Sequence, residues 1–137
     1  MNTLNVWVQK LHNPDLGILF IRLALGAVFI NAGWMKIQNA QFVIDSFAGI
    51  GIPYWLSYVV MYVELLGGIA MILGIFTSYA GILLAIVMLV AMFKIHWVNG
   101  FSMANGGYEY VLTLLATSLA ILTQGSGKYT IFKFLRK

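Results

Sequence analysis

The chain has 137 residues, of which 61% are hydrophobic and 9% charged, and its mean hydropathy is +0.91; soluble domains carry roughly a quarter charged residues, so we expect a membrane protein. It contains no cysteine, which excludes a thiol–disulfide relay, a thiolate metal site and iron–sulfur ligation. Its net charge of +4 comes mostly from basic residues near the chain ends, which suits orientation in a membrane better than nucleic-acid binding.

Four membrane-spanning helices are predicted, because the length allows about four apolar segments of about 20 residues each. We expect one all-α integral membrane domain over residues 1–137, an up-down bundle with transmembrane spans at about 16–36, 55–76, 79–97 and 106–124. Asn13-Pro14-Asp15 suits the start of the first helix. A cleaved signal peptide is the competing interpretation, but Arg22 interrupts the apolar stretch and no A-x-A-like site follows it.

The connections between these spans differ in character. Residues 37–54 are too apolar for a solvated loop, so we expect an interfacial helix, with the stretch from Phe42 to Ile52 lying on the outer surface of the bundle. Only Thr77-Ser78 separates the second span from the third, which predicts a tight antiparallel hairpin. Residues 99–107 are rich in Gly, Asn and Ser and predict a loop.

The distribution of basic residues predicts the orientation. Four spans place both termini on one side of the membrane, and that side collects five basic residues: Lys10, Lys128, Lys133, Arg136 and Lys137. The other side has only Lys36 and Lys94, both at span ends. Because basic residues concentrate in cytoplasmic segments, both termini are expected in the cytoplasm.

A polar stripe interrupts the first span. One helical face carries Arg22, Gly26, Phe29, Gly33 and Lys36. Each residue of an α-helix is rotated by about 100° from the residue before it, so positions 4, 7, 11 and 14 residues after Arg22 return to its side of the helix. A charge inside an apolar span is costly, so this face should look into the protein interior. Its two glycines would let another helix, or a flat ligand, approach closely.

Arg22 and Glu64 are expected to form a buried ion pair. Counting about 1.5 Å of rise per residue puts them about 9 Å apart along the bundle axis, a gap that the two side chains can nearly bridge. One interpretation is a structural pair that fixes the helix register. The other is a polar lining for a ligand, since charges inside membranes are usually functional. The two interpretations are compatible.

The other ionisable residues gather near the outer ends of the spans. Lys36 and Lys94 either line a site or snorkel to lipid head groups, and His96 either binds a ligand or lies at the interface. Glu109 could simply stabilise a helix N-terminus, with Tyr108 and Tyr110 in an aromatic belt.

No nucleophile–base pair, phosphate loop or metal cluster is recognisable, so neither a catalytic residue nor a metal site is predicted. Electrons would have to be carried by a bound quinone or flavin, or by a partner subunit.

Four stretches, kept in order over residues 16–130, together resemble the DoxX family. They are Arg22-x3-Gly26-x2-Phe29-x3-Gly33-x2-Lys36, Glu64-Leu65-Leu66-Gly67-Gly68 through Leu73-Gly74-Ile75-Phe76-Thr77, Asn99-Gly100-Phe101 with Gly106-Gly107-Tyr108-Glu109-Tyr110, and Gly125-x-Gly127-Lys128-Tyr129. The resemblance implies a small four-helix protein of the bacterial inner membrane, in a family named for a membrane subunit of a thiosulfate:quinone oxidoreductase. It also points to a quinone as the cofactor, not covalently bound. As candidate partners we consider membrane lipids, a soluble or membrane redox protein and a second copy of the chain.

The leading hypothesis is therefore a membrane oxidoreductase component that binds a quinone-like, flat apolar molecule inside the bundle. The candidate ligand-binding residues are Arg22, Lys36, Glu64, His96, Tyr108, Glu109 and Tyr110. One alternative is a non-catalytic scaffold that recruits redox enzymes. Another is a small transporter or proton path that uses Glu64 as a carrier.

Overall fold

The computed structural model describes residues 2–136, and all regular structure within them is helical. The α-helices are α1 (Thr3–Leu11), α2 (Pro14–Gln38), α3 (Ala40–Gly49), α4 (Tyr54–Leu73), α5 (Thr77–Ala91), α6 (Glu109–Gln124) and α7 (Ile131–Leu135). Helix α5 continues through a π-helical turn, Met92–His96, into a 3-10 turn, Trp97–Asn99, and a further 3-10 turn covers Met103–Asn105. Lys137, which we assigned to the basic tail, lies outside the described residues.

The start of α2 follows the predicted signal. The side chain of Asn13 accepts a hydrogen bond from the backbone N–H of Leu16, at 3.1 Å. Pro14 takes the first helical position, where the missing N–H costs nothing, and Asp15 lies in the first turn. The residues that predicted a helix start therefore cap it.

The tight connection between α4 and α5 is confirmed, but it lies earlier than predicted. Residues 74–76 join the two helices, and Thr77 already belongs to α5. Gly74 ends α4 in the left-handed region, with φ of 72°, a conformation that glycine adopts without steric cost. The position of this glycine decides where the helix stops.

Four helices pack around a common core, with α2 against α4, α4 against α5, α5 against α6 and α6 against α2. The buried face of α2 is the predicted stripe from Arg22 to Gly33. A Cβ atom added to Gly33 would lie 2.5 Å from the backbone nitrogen of Leu65, and one added to Gly68 would lie 2.7 Å from that of Ile30. The two backbones therefore touch, and the glycines of the stripe admit a helix.

Much of the outer surface of these helices is apolar. Leu66 on α4 and Leu83 and Ile86 on α5 are exposed in the isolated chain, an arrangement that suits lipid contact and not water. Among the described residues, three helical stretches are long and apolar enough to cross a membrane: Pro14–Gln38, Tyr54–Leu73 and Thr77–Asn99. Helix α6 has 16 residues and is about 24 Å long, shorter than the roughly 30 Å hydrocarbon core.

The apolar connection after α2 forms its own helix, α3, which packs against α4. Val43 of α3 is buried, as is Ile52 in the segment that follows, whereas Phe42 is exposed. The predicted helix is therefore present and covers part of the bundle. Its place at the membrane surface stays a prediction.

The α2–α4 contact can be tested with a single methyl group. Gly33→Ala should lower the free energy of unfolding by about 1–3 kcal/mol, because the backbone of Leu65 must move to admit the new Cβ. Gly17→Ala is the matched control in the same helix, since nothing lies within 4 Å of its added Cβ. It should change stability by no more than about 1 kcal/mol, and toward greater stability. Unfolding in mixed detergent micelles measures both, and equal stabilities would contradict the close contact.

Candidate functional site

Arg22 is bound by backbone carbonyl groups. Its side chain is buried, with 1% exposed, and Nε donates to the carbonyl of Met71 at 2.9 Å and Nη2 to that of Ile72 at 3.2 Å. Nη1 donates to the carbonyls of Ser126 and Tyr129, at 2.7 and 2.6 Å. Carbonyls at the end of a helix carry partial negative charge, so those of α4 stabilise the cation. The guanidinium thereby ties α2 to the end of α4 and to the segment after α6.

Glu64 forms its ion pair with Lys36. Lys36 Nζ lies 2.6 Å from Glu64 Oε2. The carboxylate side chain is 3% exposed, whereas the lysine side chain is 28% exposed. A buried carboxylate is thus matched by a cation that extends from the last turn of α2.

The predicted ion pair between Arg22 and Glu64 is wrong, and the helix register explains why. Arg22 lies beside Ile72, which is eight residues beyond Glu64 and therefore about 12 Å further along α4. The close glycine contacts set this register, and they place Lys36 at the level of Glu64. Within residues 2–136, Arg22 forms no salt bridge.

A cavity of about 280 Å³ lies beside the Lys36–Glu64 pair. Its polar lining comes from Lys36, Glu64 and His96. The rest of its lining is apolar and comes from α4, from α5 with its π-helical turn, from α3 and from the residues just after α3. Val63 of α4 and Val87 of α5 both contribute to it. The structure thus brings three of the seven candidate residues to one apolar space.

The π-helical turn places His96 in this cavity. In an α-helix, His96 would be rotated by about 140° from Ala91, at 100° per residue. In a π-helix, hydrogen bonds join residues five apart, so position 96 returns to the side of position 91. Both residues line the cavity. Lys94, on the same turn, is exposed and does not line it.

A hydrogen bond fixes the proton on the imidazole ring. His96 Nδ1 lies 2.8 Å from the carbonyl oxygen of Gly106. A carbonyl can only accept, so Nδ1 carries the hydrogen, and Nε2 of the neutral ring is an acceptor. Gly106 does not line the cavity, and the lone pair of Nε2 points away from the carbonyl that Nδ1 contacts. His96 therefore offers the cavity an acceptor, while Lys36 offers donors.

The four remaining candidates lie outside the cavity. Arg22 is held by carbonyls, and Tyr108 stacks on Trp97 with ring centroids 5.0 Å apart. Glu109 begins α6, where its charge suits the helix N-terminus, and Tyr110 is exposed. Among the described residues, no group of three His, Asp or Glu side chains could hold a metal ion. The sequence did not predict the α5 wall of the cavity. All faces of that span are apolar, so its pattern does not indicate which face lines a site.

The pairing scheme predicts which double variants show coupling. Lys36→Met should cost about 3–5 kcal/mol, because it leaves Glu64 charged and buried without a partner. Adding Glu64→Leu should restore most of that stability. Arg22→Met combined with Glu64→Leu should instead show additive losses, since the two side chains do not touch. Unfolding in mixed micelles measures these effects.

The exposed pair Asp15–Lys128, with 3.3 Å between the charged atoms, supplies the control. Lys128→Met should cost no more than about 1 kcal/mol, as for other surface ion pairs. Coupling between Arg22 and Glu64, or none between Lys36 and Glu64, would contradict the assignment.

Comparisons with known proteins identify the family of this chain. The DoxX family model matches residues 17–97, which include Arg22, Lys36, Glu64 and His96. A Bacillus subtilis (strain 168) protein named "Putative oxidoreductase CatD" is 31% identical over 107 residues, covering 78% of this chain and 79% of its own. "Inner membrane protein YqjF" of Escherichia coli (strain K12) is 27% identical over 125 residues, 90% of this chain and 95% of its own. No solved structure gives a significant match. The chain is a membrane protein and belongs to the DoxX family.

Proposed function

We propose that this protein is the membrane component of an oxidoreductase system and that its cavity binds the ring of a quinone. The observation that carries the proposal is the cavity itself, apolar apart from the Lys36–Glu64 pair and His96. Ligand sites are typically apolar with a few oriented polar groups. Similarity to a relative named as an oxidoreductase adds support.

The size and the polar groups of the cavity suit a single ring. At about 280 Å³ it is at the small end of ligand sites, which run from about 300 to 1,000 Å³, so it favours a quinone ring over a flavin. Lys36 has two N–H groups beyond the one directed at Glu64, and these can donate to a quinone oxygen. His96 Nε2 can accept a hydrogen bond from a hydroxyl of the reduced form. The apolar walls suit the carbon atoms of the ring.

The bound quinone would supply the redox chemistry, and this chain would bind and orient it. Tyr and Trp aside, the side chains here do not carry electrons, so a soluble or membrane redox partner would exchange them with the quinone. The alternatives, a scaffold for redox enzymes and a proton path through Glu64, become the interpretation if no quinone binds.

We further propose that the chain is one inner-membrane domain in which α6 is a fourth span and the spans alternate in direction. Two contacts support the alternating directions. Arg22, in the first half of α2, meets the end of α4, and Trp97, after α5, stacks on Tyr108, just before α6. Asp15 accepts a hydrogen bond from the backbone N–H of Lys128 at 3.1 Å. The start of α2 and the segment after α6 therefore lie at the same end of the bundle. The basic residues near both termini favour the cytoplasmic side.

This orientation is testable with fusions to a reporter enzyme that is active only outside the cytoplasm. A fusion after Arg136 should be inactive, and fusions within residues 99–107 or near Gly49 should be active. Activity of the terminal fusion would show that the fourth span or the orientation is wrong.

Ligand binding is the direct test of the proposed function. The purified protein in lipid nanodiscs should bind a short-tailed quinone, and Lys36→Met with Glu64→Leu should weaken binding by about tenfold or more, since a hydrogen bond from a charged group contributes about 1.5–3 kcal/mol. His96→Phe should weaken binding of the reduced form most. Lys94→Met is the matched control, because Lys94 lies on the same turn as His96 but outside the cavity. Unchanged affinity in the cavity variants, or no binding by the natural protein, would contradict the proposal.

A further inference from the structure

A second apolar depression lies on the outer face of α4 and α5, next to the cavity. Its volume is about 690 Å³. It follows α4 from Tyr58 to Ala70, a distance of about 18 Å at 1.5 Å per residue, and continues to Phe76 in the α4–α5 connection. Among the described residues that line it, none is Lys, Arg or His. We call it the α4–α5 groove.

The groove and the cavity share part of their walls. Val59, Val63 and Leu83 line both spaces. Val59 and Leu83 are half-exposed, whereas Val63 is partly buried and packs against the core, so two of the three side chains between groove and cavity lie at the outer surface. A molecule with its polar end at Lys36 would leave the cavity past these three residues and enter the groove.

We propose that the α4–α5 groove holds the hydrocarbon tail of the quinone, an inference that rests on the proposed binding of the quinone ring in the cavity. In a bilayer, a tail gains no hydrophobic free energy by leaving lipid, so only packing holds it in the groove. The groove therefore sets the direction of the tail, from the ring toward the α4–α5 connection.

A phospholipid fits these surroundings less well. Its phosphate would need an unpaired cation, but the groove lining offers none and Glu64 already neutralises Lys36 in the cavity. A quinone is uncharged and needs only hydrogen bonds. Charge therefore favours the quinone as the occupant.

Two other surface features serve as controls. A depression of about 350 Å³ between α2 and α6, lined by Ala24 and Thr117 among others, has no described residue in common with the cavity. Leu112 on α6 is exposed and lines neither the cavity nor the α4–α5 groove. Leu66 on α4 is also exposed and lines the α4–α5 groove but not the cavity, so Leu112→Trp is matched to Leu66→Trp.

The experiment uses the full chain in lipid nanodiscs and a quinone with a photoreactive group near the end of a long tail. Peptide mapping should place the label on residues 58–79. Excess unlabelled long-tailed quinone should prevent this labelling, whereas excess phospholipid should not. Leu66→Trp should weaken binding of the long-tailed quinone by about tenfold, which corresponds to about 1.4 kcal/mol. It should leave binding of a short-tailed quinone with the same ring within about twofold, and Leu112→Trp should change neither.

Label spread evenly over the lipid face or found in the α2–α6 depression would overturn the inference, as would competition by phospholipid. Equal effects of Leu66→Trp on long- and short-tailed quinones would overturn it too. In each case, binding of the short-tailed quinone by the natural protein would leave the proposed function standing. Failure to bind either quinone would overturn both.

Discussion

The contact between α2 and α4 is the constraint on which the rest of the structure depends. Gly33 meets the backbone of Leu65, and Gly68 meets that of Ile30, so neither helix can slide without a collision. Membrane helices gain little from hydrophobic burial against one another and associate through this kind of close packing. The register that results decides which polar group on α2 meets which on α4.

That register separates the two cations of the α2 stripe and gives each a different environment. Arg22 reaches the end of α4 and the segment after α6, whose carbonyl oxygens accept from Nε and both Nη atoms without any carboxylate. Lys36 reaches the buried Glu64. A charge without a partner is costly in either place, because the surroundings have a low dielectric constant. The carbonyl dipoles at the end of α4 stabilise Arg22, and the ion pair stabilises Lys36 and Glu64. The ion pair lines the cavity.

The cavity depends on one departure from regular helix geometry, on a hydrogen bond to His96 and on the cover that α3 provides. The π-helical turn directs His96 inward and leaves Lys94 outside, and the carbonyl of Gly106 orients the imidazole. The segment after α3 contributes Ile52 to the lining. Donor and acceptor groups thus face an apolar space that opens toward lipid along the α4–α5 groove, an arrangement suited to a ligand that travels in the membrane.

The sequence alone determined the helical spans of α2, α4 and α5, the start of α2 at Asn13-Pro14, the tight turn before α5 and the inward face from Arg22 to Lys36, because these follow from local composition and periodicity. It also carried the family resemblance that the comparison over residues 17–97 confirms. Only the tertiary structure decided that Glu64 pairs with Lys36, since a shift of a few residues between two helices changes every partner. The same is true of His96, whose direction depends on a π-helical turn, and of the α5 wall, where every face is apolar and only packing selects one.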